Sequence, residues 1–457
     1  MGQRHGARTA NLHAGCARLA FMRNPAHPLL NPTAPTLLTV NNYYYYRGGA
    51  ETVFLEQNRM FEALGWNVVP FSMKHPKNLH TPWSKYFIEE IEFGEKYALR
   101  EQLARVPKVI YSVEAKRNLG RLLDRVQPDI CHAHNIYHHI SPSILGLLKR
   151  RGIPTVLTLH DLKIACPAYN MLAPDGICER CRGGRVYNVL LHRCIKRSAA
   201  LSAVVMIEAM VHRMLGSYRN SVSRFVVPSR FYIDKLSEWG IPTELFSHVP
   251  NFVDTDRYRP QYAPGSAFVY FGRVSPEKGL ATLIRAAAAV PCRLLVIGSG
   301  PDLEGMRRLA AAVKADVTFP GFLSGAALHA AVRSARAVVL PSEWYENAPL
   351  SVLEAYALGK PVIGARIGGI PELIRENETG VCFTSGDAAG LAAVLGDFLR
   401  RPDGELEEMG MRARRWVETE FTASIYRTRI LRIYRDLGVA IPNGAPAPNE
   451  RLSQGSI

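Results

Sequence analysis

Short apolar runs alternate along the chain with stretches whose apolar residues recur every three or four positions. The runs start at Thr36, Gly65, Pro128, Ile153 and Ser223, then at Val249, Phe268, Cys292, Val317, Ala335 and Pro361. Each is short, rich in Val, Leu, Ile or Phe, and closed by Gly, Pro, Asn or His, which predicts strands buried on both faces. The periodic stretches predict helices. The clearest carries Leu350, Leu353, Ala357 and Leu358 on one face. Pro349 suits its first turn, Gly359 stops it and Pro361 follows. Strands alternating with helices predict an α/β fold with parallel sheets. Residues 74–105 are irregular, aromatic and charged, and predict a helical hairpin or lid. Residues 1–35 and 439–457 show no periodicity and predict disordered ends.

A chain of 457 residues with 47% hydrophobic content is long enough for two cores. No run approaches the length of apolar sequence that crosses a membrane. The stretch Ala17 to Met22 is too short and poorly flanked for a signal peptide, and Met22 offers an internal start. The formal charge of +16 points to acidic partners: nucleic acid, an anionic membrane surface or a nucleoside diphosphate. Charge alone does not choose among them. A basic amphipathic stretch from Ala115 to Val126 carries Lys116, Arg117, Arg121 and Arg125. It suits a solvated face or a peripheral membrane contact.

The candidate chemistry lies where strands end. Glu346 sits in the loop before the helix near Leu350, and Glu354 lies eight positions later. Helix-start amides favour an anion there. A carboxylate beside a phosphate repels it, so these acids suit hydroxyls of a sugar and a ribose. Gly48 and Gly49 fall between a strand and a helix, where backbone can approach a ligand oxygen. Arg273 and Lys278 follow the strand at Phe268 and suit a pyrophosphate. Gly298 and Gly300 invite a dinucleotide loop, but Gly305 comes too late to complete it, which disfavours a nicotinamide oxidoreductase. His134 and His160 stand at two strand tips, where an α/β sheet presents its chemistry. Cys166, Cys178, Cys181 and Cys194 have the pattern C-x11-C-x2-C-x12-C. That spacing suits a structural zinc site; a disulfide pair and buried unligated thiols are the alternatives.

The two glutamates together with Leu353-Glu-Ala-Tyr-Ala-Leu-Gly-Lys-Pro-Val-Ile resemble the signature of the retaining glycosyltransferases of family 4, which have the two-domain GT-B fold. The resemblance runs from about Leu37 to Leu437 and is thinnest between residues 65 and 125. It implies an N-terminal Rossmann-like acceptor domain at 36–228, a C-terminal nucleotide-sugar domain at 229–421, and a last helix at about 422–438 that returns to the first. Glu346 then binds the donor sugar and Glu354 the donor ribose. Gly48 and Gly49 lie against the donor diphosphate, and Arg273 and Lys278 neutralise it as it leaves. Gly298 and Gly300 lie near the nucleotide, and Phe322 packs on the base. Asn347 and Leu350 mark the donor-binding helix start. Here Asn347-Ala-Pro-Leu replaces the Gly-Phe-Gly-Leu common in the family. His160 contacts the reacting sugar; His134, Asn135 and Asp161 line the acceptor side. A subgroup carries a similar cysteine insertion.

The implied activity is retaining transfer of a sugar from a nucleoside-diphosphate sugar to a saccharide or lipid-linked acceptor in polysaccharide biosynthesis. No cofactor is required for catalysis, and no nucleic acid is involved. The implied place is the cytoplasm, at the inner face of the cytoplasmic membrane, with a peripheral contact to anionic lipid. A non-catalytic sugar-nucleotide-binding partner, an epimerase and a phosphorylase are the alternatives.

Overall fold

The computed structural model describes residues 29–90 and 106–441. The expected disorder of 1–28 and 442–457, and the part of the expected lid at 91–105, lie outside the described residues.

Six strands build the first sheet: β1 Thr36–Val40, β2 Asn67–Phe71, β3 Ile130–Ala133, β4 Thr155–Thr158, β7 Arg224–Val227 and β8 Phe246–His248. A two-stranded hairpin, β5 Leu172–Ala173 and β6 Gly176–Ile177, lies between β4 and β7 in the chain. Six more strands build the second sheet: β9 Ala267–Phe271, β10 Arg293–Ile297, β11 Val317–Gly321, β12 Ala335–Leu340, β13 Val362–Ala365 and β14 Gly380–Phe383. All neighbours in both large sheets pair in parallel. Parallel strands need crossovers, and helices supply most of them. β1, β3, β4, β12 and β13 are buried along their whole length, because helices cover both faces.

The first sheet has the order β2-β1-β3-β4-β7-β8, and the second has β11-β10-β9-β12-β13-β14. The direction of winding reverses between β1 and β3 in one, and between β9 and β12 in the other. Loops leave the sheet in opposite directions at such a point and open a crevice.

The last helix, Ala423–Asp436, starts at Thr422, whose side chain accepts from the Ile425 amide. Its face of Tyr426, Ile430 and Tyr434 packs with Leu37, Val53, Phe61 and Ile130 of the first half. The Tyr426 hydroxyl donates to Gln57 at 2.6 Å. The helix therefore ties the end of the chain to the first sheet.

Four expectations need correction. The first half runs past residue 228, since Arg230–Glu238 and β8 pack and pair with β7. β8 is too short to show a period. The run at Val249 is no strand: it crosses between the halves, and only Val253 makes an isolated bridge, to Thr422. Within 74–90 there is a single 3-10 turn, Pro82–Tyr86, and a bridge from Met73 to Ile88 in place of a helical hairpin. The stretch at 29–35 is held, because Asn31 exchanges hydrogen bonds with the Asn67 side chain at 2.9 and 2.8 Å.

Ile430 is fully buried against the first sheet. Ile430→Ala should lower the unfolding free energy by about 2–5 kcal/mol, through lost burial and the cavity left behind. Urea denaturation followed by circular dichroism measures it.

Candidate active site

In the second sheet the crevice opens between the tips of β9 and β12. β9 runs into Gly272 and Arg273, then a 3-10 turn Pro276–Lys278. β12 runs into the loop that carries Ser342, Trp344 and Glu346. The two loops meet through an ion pair: Lys278 Nζ lies 2.6 Å from Glu346 Oε1. Ser342 donates to the same oxygen at 2.7 Å. The Lys278 ammonium also stands 5.1 Å from the centre of the Trp344 ring. Burial pushes the Glu346 carboxyl up, but the Lys278 charge and the hydrogen bonds from Lys278, Trp344 and Ser342 together hold it below its ordinary value. Arg273 is the exposed cation of the group, 61% open to solvent and paired with Glu277 one turn on.

Glycine is required around this corner. Gly298 has φ 144°, and a Cβ there would stand 1.8 Å from the Gly272 carbonyl. The loop holding Gly298 and Gly300 thus presses directly on the backbone that carries Arg273. Glu354 lies on the Leu350–Ala357 helix, with its carboxyl raised by burial and partly offset by the Tyr258 hydroxyl, 3.4 Å away. Phe322, at the tip of β11, projects outward and is 73% exposed.

In the first sheet the crevice lies between β1 and β3. The loop after β1 ends at Gly48 and Gly49, where the helix Gly49–Ala63 begins. A Cβ on Gly49 would stand 3.6 Å from Leu350 Cδ1, so this loop abuts the helix start of the other half. His134 and Asn135 follow β3, and His160 and Asp161 follow β4. His134 Nδ1 and His160 Nε2 share a hydrogen bond of 2.8 Å, with the rings stacked. His132, one strand position earlier on the same face, stacks on His134 and bonds Tyr434 at 2.6 Å and Thr158 at 2.7 Å. Burial lowers His160 to about 4 and, with the neighbouring imidazole, His132 to about 3. The stack is therefore neutral near pH 7 and acts by hydrogen bonding. Burial raises Asp161 to about 6, against the Lys163 amide that donates to it at 2.9 Å.

Asn347, just before the Leu350–Ala357 helix, reaches into the first half. Its Nδ2 donates to the Leu159 carbonyl at 2.9 Å, and its Oδ1 accepts from Ser229 at 2.8 Å. Both polar ends of the side chain are used on the first half. The side chain positions the loop beside His160. The Asn135 backbone amide donates to the Asn41 side-chain oxygen at 3.0 Å, while its own side-chain oxygen is buried without a protein partner among the described residues.

Sequence reasoning missed two features. The Glu372 carboxylate accepts from the amides of Arg230 and Phe231 at 2.8 and 2.6 Å, capping a helix of the first half from the second. Lys163, His138 and Glu208 form a buried cluster, with Lys163 Nζ to Glu208 at 2.9 Å and His138 Nδ1 to Glu208 at 3.1 Å. The signal for it was a single glutamate in a largely apolar helix. The four cysteines Cys166, Cys178, Cys181 and Cys194 are free thiols around one small pocket.

Two parallel six-stranded sheets with their reversal points turned to a shared cleft define the GT-B class of fold. The model for "Glycosyl transferases group 1" matches residues 259–416, and that for "Glycosyltransferase Family 4" matches 47–257. The chain is similar to sucrose-phosphate synthase of Thermosynechococcus elongatus, at 20% identity with TM-score 0.65, covering 88% of this chain and 99% of the other. It is also similar to Anabaena HepE in complex with UDP and glucose, at 16% identity with TM-score 0.60, covering 88% and 100%. Among curated proteins it is 37% identical over 332 residues to sulfoquinovosyl transferase SQD2 of Arabidopsis thaliana, covering 68% of this chain and 57% of that one. It is 30% identical over 213 residues to the GDP-mannose-dependent alpha-(1-6)-phosphatidylinositol monomannoside mannosyltransferase of Mycolicibacterium smegmatis, covering 41% and 56%. The chain spans little more than half the length of these curated relatives. The protein belongs to the family 4 type of GT-B glycosyltransferases.

Because its pKa is lowered, Glu346 adds stability above the ordinary glutamate range, and that stability fades as pH falls through the lower folded value. Lys278→Met leaves the carboxylate buried and unpaired. It should cost about 3–5 kcal/mol near neutral pH, with the difference from wild type shrinking on acidification. Urea titrations at several pH values check both the size and the sign.

Proposed function

We propose that the protein is a retaining glycosyltransferase that moves a sugar from a nucleoside-diphosphate sugar to a saccharide or lipid-linked acceptor. The observation that carries this reading is the meeting of Lys278, Glu346 and the exposed Arg273 at the reversal point of the second sheet. A diphosphate leaving group needs cations, and these two stand where an α/β sheet binds its ligands. Arg273 supplies a planar fork and Lys278 a compact charge that keeps further N–H donors beyond the one given to Glu346. Glu346 accepts from sugar hydroxyls, and Glu354 from the ribose. Neutral His160 hydrogen-bonds the reacting sugar from the first half. The acceptor approaches from the side of Asp161 and attacks the face from which the diphosphate departs. Gly49, seated against Leu350, brings the first glycine loop to the same corner.

The named relatives support acceptors of this class. One is named for a phosphatidylinositol mannoside, and another, from Escherichia coli, for colanic acid biosynthesis. No helix among the described residues is long and apolar enough to cross a membrane. A peripheral contact belongs to the same reading, and a surface other than the basic 115–126 stretch supports it best. The helix Ala199–Met214 is inside out. It buries Ser202, Val205, Glu208 and His212, while Ile207, Met210 and Met214 face outward, Met214 at 84% exposure. Leu191 and Tyr187 on the neighbouring turn are exposed as well. Residues 182–220 contain seven Lys and Arg and a single acid, Glu208, which is buried. An apolar patch with a cationic rim suits an anionic bilayer.

Incubation with a panel of nucleotide sugars tests the activity. Release of nucleoside diphosphate only with an acceptor present, and a product whose anomeric configuration by NMR matches the donor, are expected. Arg273→Ala should lower kcat by roughly 10²–10³. Tight nucleotide binding without turnover on any acceptor would favour the non-catalytic partner instead. For the membrane contact, Met210→Gln with Met214→Gln should weaken binding to phosphatidylglycerol-containing vesicles roughly tenfold, measured by co-sedimentation. Vesicles of phosphatidylcholine alone should bind neither protein.

A further inference from the structure

Residues 162–198 join β4 to the Ala199–Met214 helix. They hold little regular structure: the β5–β6 hairpin, a 3-10 turn Arg182–Gly184 and a single helical turn Asn188–Leu191. The backbone is contorted as well. Tyr169, Met171, Arg193, Lys196 and Arg197 all have positive φ. Non-glycine residues adopt that region only when their surroundings compel it. Leu162, Met171, Val189 and Ile195 anchor the segment in the core of the first half, and irregular units of this size are commonly stapled as well.

The staple is visible in the thiols. Cys166, Cys178, Cys181 and Cys194 come from four points along the segment and line one small pocket, with room for about one atom-sized guest. None of the four is in a disulfide. Arg180 reaches Cys178 Sγ at 3.7 Å, and a cationic donor beside sulfur suits a thiolate.

We propose that Cys166, Cys178, Cys181 and Cys194 bind one structural zinc ion that holds residues 162–198 over the acceptor side of the cleft. Four thiolates with a hairpin leading into C-x2-C match the donor set of a closed tetrahedral site. Among the described residues no three His, Cys, Asp or Glu side chains already converge on a metal position. A cysteine has one side-chain torsion, and a change of rotamer swings its sulfur by about 3 Å, enough to move from the wall of the cavity to its centre. The four thiols give up their protons on binding the ion.

The segment held in this way touches the site. Glu179, between the paired cysteines, accepts from the Tyr345 hydroxyl at 3.2 Å and pairs with Lys235 at 2.9 Å. Tyr345 is the residue before Glu346. Lys163 at the start of the segment is locked to Glu208, and it is also bonded to the Pro167 carbonyl at 2.9 Å. The ion's effect on acceptor use rests on the glycosyltransferase reading; its presence does not.

The test uses the full chain purified without chelator. Elemental analysis should give about one zinc per chain. A strong chelator should release it, expose four more thiols to a thiol reagent, and lower Tm, and added zinc should restore Tm. Cys178→Ser with Cys181→Ser should abolish zinc retention. The chelator and rescue arm on wild type stands even if that variant does not fold. Protein that carries no zinc, takes up none on addition, and shows free thiols or a mass lowered by disulfide formation overturns the proposal. Zinc present in a protein without transferase activity would retain the site and refute only the functional reading.

Discussion

A lysine and a glutamate share a nearly dry corner between two strand tips. Neither Lys278 nor Glu346 could be left in that corner alone, because an unpaired charge there loses its water with nothing in return. Their 2.6 Å contact therefore holds the loop after β12 against the loop after β9. The backbone adapts to this closeness. Gly279 has φ 66°, and a Cβ there would stand 1.8 Å from the Pro341 carbonyl. The reversal of strand order makes the gap, and the ion pair gives it a charged floor with Arg273 left at its open edge.

Polar contacts across the cleft register the two halves on that floor. Asn347 reaches the Leu159 carbonyl and Ser229, Glu372 caps the helix Arg230–Glu238, and Asn251 donates to the Ala348 carbonyl at 2.8 Å. The Tyr232 hydroxyl donates to the Tyr345 carbonyl at 2.9 Å. Nearly all of these land within a few residues of Glu346. The second half thus presents its Glu346 loop to the first through groups that are already hydrogen-bonded, so the loop is positioned before any ligand arrives.

The three stacked imidazoles extend this order to the far end of the chain. Tyr434 on the last helix bonds His132, His132 stacks on His134, and His134 bonds His160. Burial keeps all three rings neutral near pH 7. A neutral ring must choose which nitrogen carries its proton, and hydrogen-bond partners make that choice. The returning helix therefore bears on the protonation pattern at His160 as well as on the stability of the first sheet.

Much of this was legible in the residues. Short apolar runs and helical periods are local properties, so the alternation of strands and helices, and with it the α/β class, could be read without any contact. The placement of Arg273, Lys278, Glu346 and His160 just beyond strand ends was legible from the same pattern. Tertiary structure decided the rest. The role of Asn347 as a latch depends on Leu159 and Ser229, more than a hundred residues away. The helix Ala199–Met214 is mostly apolar, yet packing turns its polar residues inward because Lys163 and His138 lie there against Glu208. β8 and the crossing at Val249 were indistinguishable by pattern, since a few extended residues carry no period. A sequence determines which surfaces are apolar and where the chain can turn; which distant group satisfies a given polar atom is settled only when the halves are packed together.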